Sequence, residues 1–142
     1  AAPWEFLMLS GGLQYLDAEY TDGILSEQNF DVPYAPTWSG NVSATFLLPV
    51  AEGVSYLRGD YSYMSDHFNN PTYQPETVEQ DKNLVNLRLG WRNDDWDAAL
   101  WVKNATDEAY ASLAAAPLAY SGTDAFFLEA PRTWGVTVRY NF

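Results

Sequence analysis

The sequence has no cysteine, a single histidine, and only seven Lys and Arg against nineteen Asp and Glu. Without thiols it forms neither disulfides nor thiolate metal centres, and it suits an oxidising compartment only by default. A formal charge of -12 argues against a nucleic-acid partner, whose phosphates demand Lys and Arg. No apolar run approaches the ~18 residues that a membrane-spanning helix needs. The opening Ala1-Ala2-Pro3-Trp4 lacks an initiator Met, a basic n-region and an apolar h-region, so no signal peptide is read there. The sequence is therefore expected to be processed, or to be a piece of a longer chain. At 142 residues it has room for one domain.

What the chain has in quantity is aromatic residues, 16% of the total with six Trp and ten Tyr, and they follow a two-residue alternation. In the final stretch Trp134, Val136, Val138, Tyr140 and Phe142 occupy one parity and Thr133, Gly135, Thr137, Arg139 and Asn141 the other. Successive side chains of a strand point to opposite faces, so one face is apolar and the other polar. Val85, Leu87, Leu89 and Trp91 likewise oppose Asn86, Arg88, Gly90 and Arg92, and Trp96, Ala98, Leu100 and Val102 oppose Asp97, Ala99, Trp101 and Lys103. Trp38, Val42, Ala44, Phe46 and Leu48 oppose Ser39, Asn41, Ser43 and Thr45; Leu57, Tyr61 and Tyr63 oppose Arg58, Asp60 and Ser62. These patterns predict strands. Trp4 to Tyr20 is predicted extended as well, with a bulge at Gly11-Gly12, but both of its parities are apolar and its phase is undetermined.

Six strands in three hairpins result, joined by connections that alternate in length. Short turns lie around Pro49 to Gly53 and at Asn93-Asp94-Asp95, while the other three links are long and rich in Asn, Asp, Pro, Gly and Ser. Short turns at one rim and long loops at the other define outer-membrane barrels, whereas ordinary hairpin domains keep most loops to about 2–5 residues. The aromatics supply a distance check. Trp91, Trp96, Tyr140 and Phe142 reach the short-turn rim, and Trp38, Tyr61, Tyr63 and Trp134 sit farther up their strands. Nine residues at ~3.3 Å rise and ~40° tilt climb roughly 23 Å, against an apolar band of about 25 Å between the aromatic girdles of such barrels. The expected fold is all-β, an antiparallel up-and-down transmembrane β-barrel segment. Mean hydropathy, -0.29, does not oppose this, because lipid-facing and lumen-facing residues cancel in the average. Six strands are too few to close such a barrel, which starts at about eight, and open edges are rarely left exposed. The chain is therefore expected to be the carboxyl-terminal portion of a larger barrel. A soluble all-β module, for example one that binds carbohydrate on exposed aromatics, shares the alternation and stands as the alternative.

Conventional chemistry is sparse. His67 follows Asp66 with neither convergent metal ligands nor a nucleophile in view, so a solvated loop histidine is the plainer reading and no enzyme is expected. Asp94-Asp95-Trp96-Asp97 and Asp107-Glu108 lack the Asp/Asn/Gly spacing of a calcium loop and read as solvated turns and rims. Asn104-Ala105-Thr106 and Asn41-Val42-Ser43 match a glycosylation pattern that carries little weight inside or beside strands. The inward polar set is the better constellation: Arg58, Asp60, Asn86, Arg88, Arg92, Lys103, Thr137 and Arg139 should line the lumen, where charge meets water and protein and not lipid.

Several stretches carry a family resemblance. Leu87-Arg88-Leu89-Gly90-Trp91 with Asp95-Trp96, then Leu100-Trp101-Val102-Lys103-Asn104-Ala105-Thr106-Asp107-Glu108-Ala109-Tyr110, and Pro131-Arg132-Thr133 running to Phe142 make the strongest match. Tyr15-Leu16-Asp17-Ala18-Glu19-Tyr20 and Pro33-Tyr34-Ala35-Pro36 fit strand ends and loop returns. Over essentially all 142 residues the chain resembles the carboxyl-terminal barrel region of TonB-dependent outer-membrane receptors. The resemblance implies a 22-stranded barrel whose lumen holds an amino-terminal plug, and import of a scarce nutrient. Ferric siderophores are the family's commonest cargo; haem, cobalamin and oligosaccharides are others. It implies energy from the TonB complex acting on a short box ahead of the plug. Neither plug nor box is in this sequence, so the fragment by itself cannot transport in that way. It implies further that the lumen residues face the plug in a complete barrel, though they would equally serve only to solvate the wall, and that Trp101, also inward, could pack on the plug. Substrate contacts would come from long-loop aromatics, including Tyr73, Tyr110, Tyr120, Phe126 and Phe127, though these rings would equally pack among themselves. Outer-membrane lipid is the implied neighbour of the apolar parity. Trp134, Val136, Val138, Tyr140 and Phe142 resemble the signal engaged by the barrel assembly machinery, a strand edge that adds itself to another sheet.

Overall fold

The alternation organises the whole chain. The computed structural model describes residues 4–27, 31–68, 78–79, 81–115 and 125–142. Six long strands, β1 (Leu7–Tyr15), β2 (Trp38–Val50), β3 (Gly53–Met64), β6 (Lys82–Arg92), β7 (Trp96–Lys103) and β10 (Thr133–Tyr140), make one antiparallel sheet. They neighbour one another in chain order, β1-β2-β3-β6-β7-β10, which is an up-and-down meander. The links that read as long loops hold small elements of their own: a helical turn α1 (Ile24–Glu27) and the two-stranded hairpins β4 (His67–Phe68)–β5 (Val78–Glu79) and β8 (Ala111–Ala115)–β9 (Ala125–Leu128). No helix among the described residues is long and apolar enough to cross a membrane.

The two tight turns follow from local chemistry. β2 and β3 pair to the last residue, Val50 with Gly53, so only Ala51 and Glu52 turn the chain, and Ala51 takes φ 54° as two-residue hairpin loops require. The turn is shorter than the sequence suggests because Pro49 stays in the ladder, opposite Val54. At the second turn the Asn93 carboxamide oxygen accepts the N–H groups of Asp95 (3.1 Å) and Trp96 (2.8 Å), while the Asn93 N–H donates to the Trp96 carbonyl at 2.9 Å. Asparagine stabilises such turns by this self-satisfaction of nearby backbone.

β1 corrects the expectation for the amino-terminal segment. Its strand is Leu7–Tyr15, shorter than Trp4 to Tyr20, and its ladder to β2 runs unbroken from Leu7–Phe46 to Tyr15–Trp38, with no bulge at Gly11-Gly12. The register also fixes the missing phase. Leu9 pairs Ala44 and Leu13 pairs Gly40, so Leu9, Leu13 and Tyr15 join the apolar face, while Ser10 and Gln14 join the polar one. At the other end β10 stops at Tyr140; the Asn141 N–H still donates to the Asp95 carbonyl at 2.8 Å, and Phe142 lies beyond the strand.

A sheet of this size in a soluble protein would bury one face under a second layer. Here the core is nearly absent. Among the described residues the only buried apolar side chains are Leu7, Ala99 and Tyr110. The apolar parity is open along every strand, from Leu13 and Phe46 through Leu57, Leu89 and Leu100 to Trp134, the last 76% exposed. Monomeric soluble proteins rarely expose a contiguous apolar patch beyond a few hundred Å². This face spans six strands.

Candidate functional site

The polar face is built from side chains that satisfy one another across strands. Asp60 pairs Ser43 on one side and Asn86 on the other. Arg58, two residues before it, forks onto its carboxylate with Nε at 2.9 and 3.0 Å and Nη2 at 2.6 Å, and the Ser43 hydroxyl donates to the same group at 2.5 Å. A planar guanidinium suits this two-toothed geometry. Next along, the Tyr56 ring lies over Gly90, where an added Cβ would stand 2.4 Å from Cζ. Its hydroxyl donates to Asp97 at 3.1 Å and accepts from Arg88 Nε at 3.0 Å. Trp101 lies over Gly135 in the same way, gives its indole N–H to Thr137 at 3.2 Å, and has the Lys103 ammonium 5.7 Å from its ring. Both glycines make room for a large ring on the polar side.

Of the eight residues the sequence places on this wall, Arg58, Asp60, Asn86, Arg88, Lys103 and Thr137 converge around one concavity of about 480 Å³, joined by Trp101. Arg92 does not. It borders a separate hollow at the short-turn rim with Glu52, Val54 and Asn93. Arg139 shares the inward parity and sits opposite Asp97, outside both hollows. Tyr56, Ser43 and Asp97 complete the network and were absent from the expected set. Their signal was parity alone: Tyr56 lies two residues before Arg58, and a glycine opposite an aromatic marks a ring that crosses strands.

On the apolar face seven of the eight expected aromatics have the outward parity of their strands, and Phe142 lies just beyond β10. Trp96 and Tyr140 are 4.7 Å apart between ring centres, and Phe142 meets Tyr140 edge-on at 5.2 Å. Trp91 lies over Gly53 and points its indole N–H at the Val50 carbonyl, 3.4 Å away, capping the tight turn. Toward the long-loop end Trp38 packs on Tyr15 at 4.8 Å, a partner hidden until the phase of β1 was known. Tyr61 donates to the Asn83 carboxamide at 2.7 Å and Tyr63 to Asp81 at 3.4 Å; Trp134 stands open. Rings with an apolar body and a hydrogen-bonded tip are those that settle at membrane–water interfaces.

The long-loop rim holds a clasp that corrects two expectations. Asn104 is buried at φ 49°, its carboxamide donating to the Glu108 carbonyl (2.8 Å) and accepting from the Glu108 N–H (3.1 Å), while its own N–H donates to Asn86 (3.0 Å). Asp107, at φ 60°, accepts the Arg132 N–H at 2.9 Å and pairs with its guanidinium at 3.4 Å. Asp107 is thus a loop fastener and not a merely solvated rim charge. Tyr110, expected among the ligand-contacting loop aromatics, is only 7% exposed, and its hydroxyl bonds both the N–H and the carbonyl of Asn83 at 2.7 Å. Lys82 stands beneath its ring and pairs with Glu129. Tyr110 therefore fixes the loop base. Phe127 is exposed in β9. Tyr73, Tyr120 and the side chain of Phe126 lie outside the described residues. The His67 ring nitrogen approaches the Ser65 carbonyl at 3.1 Å in a small polar hollow with Asp17, Asp31 and Asp66, and among the described residues no group of three His, Cys, Asp or Glu could hold a metal.

A meander with one open apolar face, one hydrogen-bonded polar face, short turns at one rim and structured loops at the other is the wall of an outer-membrane barrel. Its fold is that of the barrel of TonB-dependent receptors, as the sequence resemblance implied. Three solved receptors share it. The ferric-catecholate import receptor Fiu from E. coli K12 superposes with a TM-score of 0.76 over 99% of this chain at 16% identity. The ferric preacinetobactin receptor BauA from Acinetobacter baumannii gives 0.73 over 99% at 24%, and the ferric yersiniabactin uptake receptor FyuA from Yersinia pestis 0.69 over 78% at 18%. The chain spans 19%, 20% and 17% of their respective lengths. No protein-family model and no curated protein matches it.

Proposed function

We propose that the chain is the carboxyl-terminal part of an outer-membrane active-transport receptor that takes up a scarce nutrient, a ferric siderophore, with energy from the TonB complex. The plug and TonB box that such transport needs lie outside this sequence. The observation that carries the proposal is the inverted polarity of the sheet, apolar outward and ion-paired inward, on a fold shared with three siderophore uptake receptors. In this reading lipid covers the apolar parity, the polar face lines the lumen, and the edge and aromatic face of β10 are what the assembly machinery engages. A soluble carbohydrate-binding module fits less well, because it would leave six strands of aliphatic side chains in water. The test is uptake. In an iron-starved host lacking the full-length gene, transport of one radio-iron-labelled siderophore should be lost, and it should return with the gene only when TonB is present. Undiminished uptake of every chelate would reject the siderophore, and undiminished uptake of haem, cobalamin and oligosaccharides as well would reject transport.

A further inference from the structure

The link between β1 and β2 carries chemistry that neither face of the sheet uses. The backbones of Glu19 and Asp31 pair antiparallel and close its neck, and Asp22, Gly23 and α1 lie in the excursion beyond. Of the chain's nine glycines, Gly23 alone follows an Asp or an Asn. Its backbone stands at φ 86°, the left-handed region that glycine enters without steric cost. Its N–H donates to Asp22 Oδ1 at 2.8 Å, so the carboxyl carbon sits one covalent bond from the oxygen that the nitrogen already touches. Both residues are exposed, and a Cβ built on Gly23 would meet nothing within 4 Å. Other Asp and Asn residues are placed differently. Asp60 and Asp97 lie inside strands, and the nitrogen after Asn104, that of Ala105, is taken by the Val85 carbonyl at 2.8 Å. Asn93 turns its carboxamide oxygen to the nitrogens of Asp95 and Trp96, past its immediate neighbour.

We propose that Asp22-Gly23 is a site of spontaneous backbone modification, at which Asp22 becomes isoaspartate through a cyclic imide. The Gly23 nitrogen forms a bond to Asp22 Cγ, and the protonated carboxyl group gives up its hydroxyl, with the amide proton, as one water. A five-membered succinimide results. Water then opens the ring. Addition at Cγ restores aspartate. Addition at the Asp22 main-chain carbonyl carbon breaks that carbon's bond to nitrogen, so the chain runs on through Cβ and Cγ and the α-carboxylate hangs free. One water leaves and one enters, and nothing is oxidised or reduced. Glycine suits the step because no side chain shields its nitrogen, and aspartate because its short side chain reaches neighbouring backbone. The product lengthens the main chain by a methylene just ahead of Gly23, whose carbonyl accepts the Glu27 N–H at 3.1 Å and so anchors α1. Aged copies of the protein therefore carry a displaced turn in this loop. The proposal stands apart from the receptor reading, since it asks only for this loop and water.

The test ages the folded full-length protein at neutral pH in water enriched in heavy oxygen, beside a free peptide of residues 20–27. Peptide mapping with electron-transfer fragmentation distinguishes isoaspartate from aspartate at each position. Residue 22 should accumulate isoaspartate carrying a single heavy oxygen, the mark of ring opening by solvent. Its rate should match that of the free peptide to within roughly tenfold, or exceed it, because the folded loop keeps nitrogen and carboxyl together. Asp60 and Asp97 should stay unlabelled over the same period. No isoaspartate at residue 22, or a rate more than roughly tenfold below that of the peptide, would mean that the fold keeps the two groups apart, and would overturn the proposal. Asp22→Glu supplies the second measurement, because the same closure would then need a six-membered ring. That variant should take up no heavy oxygen at position 22; uptake at the wild-type rate would show exchange without ring closure and would overturn the proposal equally.

Discussion

Gly90 and Tyr56 form the most constrained pair on the polar face. The phenol crosses from β3 to β6 only because Gly90 presents no Cβ, and its hydroxyl then links Arg88 to Asp97. Gly90→Ala would push the ring off and loosen both bonds, a cost of about 1–3 kcal/mol from overpacking and lost hydrogen bonding. In a Tyr56→Ala background the same change should cost much less, since the ring it displaces is gone. A double-mutant cycle on the full receptor, followed by urea unfolding in detergent, reads the coupling directly. Additive costs would show that the glycine serves only the backbone. Asn104 illustrates a different residue-scale device: its left-handed backbone, which Asn tolerates better than most residues, lets one carboxamide close the loop onto Glu108.

At the scale of one element, β10 separates lipid from lumen within two neighbouring residues. Val136 is outward and exposed opposite Leu100, while Thr137 is inward beside the Trp101 indole. Val136→Arg should therefore destabilise the folded barrel by about 2–4 kcal/mol, the cost of a cation near the bilayer midplane. Thr137→Arg should cost far less, because it enters a polar hollow. The heat-modifiable fraction of each variant in outer-membrane extracts reports the difference, and equal behaviour would remove the distinction between the faces. The strands were legible in the sequence for the same reason that this test works: a period of two sorts Val85 from Asn86 and Val136 from Thr137 without tertiary information. β1 resisted because Leu7, Leu9 and Leu13 share the strand with Met8 on the other parity, and only pairing with β2 broke the tie. The wall set Arg58, Asp60, Asn86, Arg88, Lys103 and Thr137 was readable by parity. The detachment of Arg92 and the burial of Tyr110 were not, because they depend on where a strand ends and on which loop folds back over Asn83. Hairpins such as β4–β5 have two residues per strand, too few for any periodicity to show.

At the scale of the whole molecule, the sheet has two sides unpaired among the described residues. β1 bonds only β2 in the sheet and β10 only β7, so neither outer edge is closed, and the face that every strand shares is aliphatic and aromatic. Water cannot cover that face cheaply: at roughly 25 cal/mol for each Å² of apolar surface, a six-stranded band left wet is a large liability. Open, flat, apolar edges add a template for pairing with other chains. The 142 residues expressed alone should therefore collect as aggregates in buffer and stay dispersed only in detergent or lipid. Nitroxide labels stepped one at a time from Val136 to Tyr140 in such micelles should alternate, protected from an aqueous relaxant at even positions and accessible at odd ones. A monodisperse monomer in plain buffer, with labels equally accessible at both parities, would mean that another layer of this chain covers the apolar face, and the barrel-wall assignment would fall with it.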